Sequence, residues 1–143
     1  MPIAITVTPK NLQLGDSFNT HVSITNPSTT TGYDFILTLN RRFVGTTDWT
    51  LLATSVQVHV NANSTVTYDF PPNVTQAVGT AEIMVRGTLV GSPTFEDSNI
   101  EQIIISEVVT PPPPNIPWIP ITVGLGIVAG ILLILAVRKR KTG

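Results

Sequence analysis

An unbroken apolar run near the C-terminus limits what this chain can fold into more than any other feature. Residues 118–137 carry no charged side chain. As a helix, a run of about 20 residues measures roughly 30 Å, the thickness of the hydrocarbon core of a bilayer. Trp118 begins the run, and a basic cluster follows it at Arg138, Lys139, Arg140 and Lys141. A buried core helix of this length would show a polar face, so we predict a single transmembrane α-helix, with Trp118 and the basic cluster as its flanks.

Proline divides the chain in front of this span. Residues 111–114 are four consecutive prolines, and two more follow within the next six positions. Proline fixes φ and lacks an N–H, so we predict a stiff polyproline II stalk over residues 110–117. The stalk separates a front domain, residues 1–109, from the transmembrane helix, and residues 138–143 form a basic tail. The front domain is long enough to bury a core of its own.

The front domain shows the alternation of apolar and polar residues that is typical of half-buried β-strands. In residues 17–26, Phe18, Thr20, Val22 and Ile24 share one face and polar residues occupy the other. Turn signals recur at intervals of about 8–12 residues, and no helical periodicity precedes the apolar run. The pattern predicts an all-β fold, an antiparallel β-sandwich of about seven or eight strands, although the same repeat also fits a barrel.

The middle of the front domain gives more detailed expectations. We expect a short edge strand at residues 49–53 and a separate strand at residues 55–60, with Val56, Val58 and Val60 facing the core. We further expect polar or proline-containing breaks at residues 41–48, 71–73 and 94–99.

Two turn motifs carry a resemblance to a known family. The turn at residues 14–16, Leu-Gly-Asp, precedes a long alternating strand that ends in Thr-Asn-Pro at residues 25–27. Residues 58–66 place a small-residue turn between two valine-rich strands. Through these motifs residues 3–109 resemble the immunoglobulin-like modules of prokaryotic and viral surface proteins, in particular the CARDB type of adhesion-related domain. The resemblance implies an immunoglobulin-like antiparallel β-sandwich.

Composition excludes several classes of function. The chain has no cysteine, which rules out a disulfide framework, a thiolate zinc site and a cysteine nucleophile. The front domain carries four basic and nine acidic side chains, a net charge of −5, whereas the tail carries +4. An acidic domain lacks the basic footprint of nucleic-acid binding, so we expect no nucleic-acid partner for the folded domain. The N-terminus shows no signal peptide, which favours a processed chain or insertion through the C-terminal anchor.

The residues able to carry catalysis are few and isolated. His21 and His59, the two histidines, lie on polar faces of predicted strands, although a Ser–His–Asp arrangement would assemble only in the fold. We predict no enzyme, no metal or other cofactor, and no small-molecule substrate. Glu96 and Asp97 are the one adjacent acidic pair, which we interpret as a solubilising loop and not as a calcium site. Glycosylation sequons in predicted turns begin at Asn63 and Asn73.

Two apolar features indicate possible partners. Small residues recur at every fourth position of the predicted transmembrane helix and would allow close helix packing, at Thr122, Gly126 and Gly130. The last predicted strand offers apolar side chains to both faces of its sheet, at Ile103, Ile104 and Ile105. Such a strand is either covered on both sides or contacts a partner.

These features predict a non-catalytic, single-pass membrane protein that displays its module on a stiff stalk for protein binding or structural assembly. Its expected partners are the lipid bilayer and other protein subunits, including copies of itself. The positive-inside rule places the tail in the cytoplasm and the β-domain outside. Two alternatives stay open: a structural protein of a lipid-containing virion that links capsid to virion membrane, and an accessory subunit of a membrane enzyme complex.

Overall fold

The computed structural model describes residues 1–115, in which every regular element is a β-strand and no helix occurs. Residues Met1–Val109 form one compact unit, and residues 110–115 have no regular secondary structure. In chain order the strands are β1 (Ile3–Thr8), β2 (Asn11–Gln13), β3 (Ser17–Asn26), β4 (Tyr33–Phe43), β5 (Thr50–Val60), β6 (Ser64–Val74), β7 (Gly79–Leu89), β8 (Phe95–Asp97) and β9 (Glu101–Ser106).

The strands form two sheets. The first sheet has the order β1-β3-β6, and the second has the order β2-β9-β7-β4-β5, with β8 pairing with the end of β7 that β9 leaves free. All pairs are antiparallel except β2 with β9, which is parallel. Two separate sheets, rather than a single closed one, confirm the predicted β-sandwich.

The inward faces of both sheets share one hydrophobic core. The predicted alternation of β3 is confirmed, because Phe18, Thr20, Val22 and Ile24 are all buried. Other strands supply buried side chains in the same alternating manner, at Ile3, Ile5, Val7, Phe35, Leu37, Leu39, Ala81, Ile83, Val85, Ile103 and Ile105. Full burial of each large aliphatic or aromatic side chain contributes about 1.5–3 kcal/mol, so this core is the main stabilising element of the domain.

Several strands are longer than the sequence pattern predicts. The one strand β5 replaces the two expected at residues 49–53 and 55–60. Strand β4 continues through Arg41 and Arg42, and β6 continues through Pro71 and Pro72. Both prolines fall where the register of this edge strand with β3 shifts, between the partners of Phe18 and Thr20, and proline is tolerated at the bulges of edge strands. The loop expected at residues 94–99 contains the short strand β8.

A β-bulge in β5 exposes one residue that the sequence predicts in the core. The register with β4 shifts opposite Leu37, so Ser55 is buried and Val56 is 74% exposed. The expectation that Val56 faces the core was therefore wrong, whereas Val58 and Val60 are buried as predicted. The Ser55 hydroxyl accepts a hydrogen bond from the Leu37 N–H at 2.8 Å. This contact satisfies a buried donor that the interrupted ladder would leave unpaired.

One buried hydroxyl in the core gives a testable prediction. Thr20 is 1% exposed, and its Oγ1 has no hydrogen-bond partner within residues 1–115. Valine has nearly the same shape and no polar atom, so we expect Thr20→Val to raise the free energy of unfolding by about 1 kcal/mol. Denaturant unfolding followed by circular dichroism measures the change. A loss of stability would instead show that the hydroxyl is satisfied, for example by an ordered water molecule.

No helix capable of crossing a membrane is found within residues 1–115. The predicted transmembrane helix and basic tail lie outside the described residues, as does the end of the predicted stalk.

Candidate interaction surface

Strand pairing brings side chains from three strands together on the outer face of the second sheet. Arg42 of β4 lies opposite Glu82 of β7. Asn40 of β4 lies between Met84 of β7 on one side and Leu51 of β5 on the other. Successive residues of a strand point to opposite faces, so these side chains, whose neighbours in sequence fill the core, all point outward.

Met84 forms the floor of a depression on this face. Its neighbours Ile83 and Val85 are in the hydrophobic core, yet the outward-facing Met84 is only 7% exposed. The depression has a volume of about 250 Å³ and is lined by Thr38, Asn40, Trp49, Leu51, Met84 and Arg86. A methionine buried on the outside of a sheet indicates that the side chains around it pack into a cluster, which is apolar at Trp49 and Leu51 and polar at Thr38, Asn40 and Arg86.

Trp49 and Arg42 form one side of this cluster. The Arg42 guanidinium lies 4.6 Å from the centre of the Trp49 ring, within the range of a cation–π contact. Its Nε donates a hydrogen bond of 2.6 Å to Glu82, whose other carboxylate oxygen accepts one from the Gln102 amide at 3.3 Å. The hydrogen bond from Arg42, with a smaller contribution from Gln102, lowers the pKa of Glu82. The arginine is therefore held in one orientation.

Phe95 and Arg86 repeat the arrangement nearer to β8. The Arg86 guanidinium lies 4.0 Å from the centre of the exposed Phe95 ring. It donates two hydrogen bonds to Asp97, from Nε at 2.7 Å and from Nη2 at 2.8 Å. These hydrogen bonds raise the pKa of Arg86. Such a bidentate pair restricts the guanidinium more tightly than a single contact does.

We call the residues Trp49, Leu51, Met84, Phe95, Arg42 and Arg86 the aromatic face. Tryptophan, phenylalanine, methionine and arginine are the side chains that are enriched at protein–protein interfaces. All of them except Trp49, which directly precedes β5, lie on strands, and carboxylate partners hold the two arginines before any partner binds, which reduces the entropy lost on binding. The arrangement suits the binding of another protein.

The outer face of the first sheet has a different character. Its central row consists of Thr6, His21 and Asp69, and the next row includes Ser23 and Thr67. These short polar side chains are exposed or half-buried. A face of this composition is well solvated and has no aromatic or large aliphatic side chain in these two rows, so the two outer faces of the sandwich are chemically distinct.

The predicted partner strand lies partly in the core. Ile103 and Ile105 are buried, and Ile104 between them is 51% exposed on the outer face of the second sheet. Strand β9 therefore alternates, and of the three isoleucines only Ile104 is available to a partner. It lies opposite Thr80, away from the aromatic face.

The two histidines form separate pairs with aspartates. The His21 ring lies 2.6 Å from the Asp69 carboxylate, and the His59 ring lies 2.8 Å from that of Asp34. Neither ring contacts a serine or threonine hydroxyl within the described part of the chain, so no Ser–His–Asp arrangement forms there. The hydrogen bond between His59 and Asp34 raises the pKa of the histidine and lowers that of the aspartate.

The acidic pair in the loop before β9 is engaged by cations. Asp97 binds Arg86 as described, and Glu96 accepts a hydrogen bond of 3.1 Å from the Met1 amino group. Residues 1–115 contain no group of three or more histidine, cysteine, aspartate or glutamate side chains able to hold a metal ion.

The two sequons differ in their surroundings. Asn63 lies in the turn between β5 and β6 and is exposed, with a φ of 50°. In the sequon that begins at Asn73, the required hydroxyl of Thr75 is buried and hydrogen-bonded, so the folded domain does not present it.

The remaining predicted site residues lie outside the described residues. These are the membrane flanks Trp118, Arg138, Lys139, Arg140 and Lys141, and the helix-packing positions Thr122, Gly126 and Gly130.

Sequence reasoning missed the aromatic face as a unit. Alternation along β7 places Met84 and Arg86 on the face opposite Ile83 and Val85, as the structure does. The available signal was the presence of methionine on that face together with tryptophan, a rare residue, close to the two arginines at positions 41 and 42. Their proximity depends on strand order, which the sequence pattern does not reveal.

No family model and no curated protein sequence matches the chain. Among solved structures, the fold is similar to part of a β-glucosidase from Listeria innocua, with a TM-score of 0.54 and 19% identity over 76% of this chain and 16% of that chain. It is also similar to the sporulation control protein Spo0M from Bacillus subtilis, with a TM-score of 0.53 and 10% identity over 73% of this chain and 49% of that chain. The chain thus spans less than half the length of both, and at these identities the similarity shows the fold alone.

Proposed function

We propose that this protein is a non-catalytic, single-pass membrane protein whose β-sandwich binds another protein through the aromatic face. The sandwich supplies the binding surface, the proline-rich segment supplies distance from the lipid, and the apolar run of residues 118–137 supplies the membrane anchor. In this proposal the sandwich is an immunoglobulin-like module of the CARDB type, displayed outside the membrane.

The observation that carries the proposal is the buried outward-facing Met84 between two arginines that stack on aromatic rings. A solvated sheet face requires none of these side chains, as the Thr- and Ser-rich face of the first sheet illustrates. Aromatic and arginine anchors with restricted conformations dominate the binding energy of many interfaces. The composition and rigidity of the aromatic face therefore support protein binding.

Quantitative capture of a binding protein by the full-length chain in mild detergent tests the proposal. We expect Trp49→Ala to weaken binding of the captured protein about 30-fold, which corresponds to the roughly 2 kcal/mol of an interface hot spot. Thr67→Ala is the matched control, because Thr67 is exposed on the outer face of the first sheet. Circular dichroism of both variants verifies that the fold is unchanged.

Equal binding by the Trp49→Ala and Thr67→Ala variants would contradict the proposed role of the aromatic face. Loss of binding in the Thr67→Ala variant alone would move the binding surface to the first sheet. Identification of the captured protein distinguishes a surface receptor, a capsid protein and a membrane enzyme subunit.

A further inference from the structure

Sheet edges expose backbone groups, and this domain protects most of its edges. At the free edge of β1, the Asn99 amide accepts a hydrogen bond of 2.8 Å from the Ile5 N–H and donates one of 3.3 Å to the Ile5 carbonyl. Strand β6 carries Asp69, Pro71 and Pro72. Strands β2 and β8 have only three residues each, and β8 carries two carboxylates. Charge, proline and short length are the usual means of preventing edge-to-edge pairing.

Strand β5 is an edge without charge, proline or short length to protect it, and its only irregularities are two register shifts in its pairing with β4. It spans 11 residues, pairs only with β4 among the described residues, and contains no lysine, arginine, aspartate, glutamate or proline. Leu51 is 57% exposed and Val56 is 74% exposed. The Asn26 side chain donates a hydrogen bond of 3.2 Å to the Val60 carbonyl at the end of the strand. The edge before it, from Thr50 to Gln57, therefore presents N–H and C=O groups to an incoming strand, except at the Val56 carbonyl, which accepts a hydrogen bond of 2.6 Å from the Ser55 hydroxyl.

We propose that β5 pairs antiparallel with β5 of a second copy of this chain, so that the second sheets of both copies join into one continuous sheet. This inference goes beyond the proposed function and does not depend on it, because the contact is made by the backbone of the β5 edge, and of the aromatic face only Leu51 lies on that strand.

Two properties of β5 favour a second copy as the occupant. Pairing a strand with itself brings identical side chains together, and the segment from Thr50 to Gln57, which contains no charged residue, meets no like-charge repulsion. The contact is also isologous and closes on itself. It uses the β5 edge of each copy. The short strands β2 and β8 then lie at the ends of the joined sheet, so the assembly stops at a dimer.

The predicted anchor also favours pairing between two copies. Copies tethered to one membrane meet at a raised effective concentration, which strengthens a contact that is weak between free domains. The small residues Gly126 and Gly130 would allow two such anchors to pack closely.

Single cysteines test the proposal in the full-length chain reconstituted into lipid vesicles, because the natural sequence contains none. Leu51→Cys, Thr54→Cys and Gln57→Cys report contacts along β5, and Thr67→Cys on β6 is the control. We expect at least one β5 cysteine, the one nearest the two-fold axis, to form an intermolecular disulfide about tenfold faster than Thr67→Cys or more, since opposed strands bring Cβ atoms within disulfide range.

A second substitution in the reactive cysteine background separates strand pairing from mere proximity. Val56→Lys places a lysine from each copy at the paired edges, and we expect it to slow crosslinking about tenfold, because edge lysines oppose strand addition. Val74→Lys is the matched control, since Val74 is also an exposed valine but lies on β6.

Two results would overturn the proposal. The first is crosslinking of every β5 cysteine at the rate of Thr67→Cys, which would show that the strands do not meet. The second is equal crosslinking of the Val56→Lys and Val74→Lys variants, which would show that the anchors, and not paired β5 strands, bring the cysteines together. Neither result affects the binding that Trp49→Ala tests.

Discussion

Replacing Asn26 by alanine is expected to lower the free energy of unfolding by about 3 kcal/mol. The buried Asn26 amide donates hydrogen bonds to the carbonyls of Thr31 at 2.8 Å, Val60 at 3.2 Å and Asn61 at 3.1 Å. Its oxygen accepts one from the Ser28 N–H at 3.0 Å. Alanine removes all of these hydrogen bonds, although the Asn61 carbonyl keeps one of 2.8 Å from the Ser64 hydroxyl. Each buried group that is left unsatisfied costs about 1–3 kcal/mol unless water reaches it. The side chain thereby joins the end of β3 to the β3–β4 connection and to the turn between β5 and β6.

Denaturant unfolding of the full-length chain, followed by the β-sheet circular dichroism signal, measures this loss. Asn19→Ala is the control, because Asn19 lies on the same strand and is exposed. We expect the control to change stability by less than about 0.5 kcal/mol. Similar effects of the two substitutions would show that the contacts of Asn26 do not hold the turn.

Thr75→Val is expected to lower the free energy of unfolding by about 2 kcal/mol. The Thr75 hydroxyl lies 2.9 Å from the Gln13 carbonyl and 3.0 Å from the Asp16 carbonyl, and it accepts a hydrogen bond of 3.0 Å from the Gly15 N–H. Valine removes the donor and the acceptor at once. The turn at residues 14–16 would then be attached to the chain that follows β6 only by the backbone hydrogen bonds between Thr75 and residues 15 and 16.

Three threonine-to-valine substitutions provide an internal comparison by the same unfolding measurement. Thr75 is buried with hydrogen bonds, Thr20 is buried without a partner, and Thr67 is exposed. We expect a loss, a gain and little change, respectively, because the free energy depends on the hydrogen bonds that the hydroxyl makes and not on its burial alone. A gain in stability on Thr75→Val would mean that the hydrogen bonds of the hydroxyl stabilise the folded state by less than burial of the hydroxyl destabilises it.

The sequence by itself determined the fold class and the buried faces of most strands. In β3 the alternation from Phe18 to Ile24 correctly separates core from solvent, the turn signal at residues 14–16 falls between β2 and β3, and the small-residue turn within residues 58–66 separates β5 from β6. These properties are local, because the side-chain direction of a strand repeats every two residues and turn residues act through their own backbone. The stalk and the anchor, predicted from equally local composition, remain predictions.

Only the tertiary structure decided where the register breaks, which strands are edges and which side chains meet. Val56 is exposed because the pairing of β5 with β4 shifts opposite Leu37, an event that involves two strands. The aromatic face requires β7 to lie beside β4, so that Met84 and Arg86 come close to Trp49. The unprotected edge of β5 depends on the complete strand order of the second sheet. Such features arise from contacts between distant segments, and the alternation within one strand is the same whichever strand becomes its neighbour.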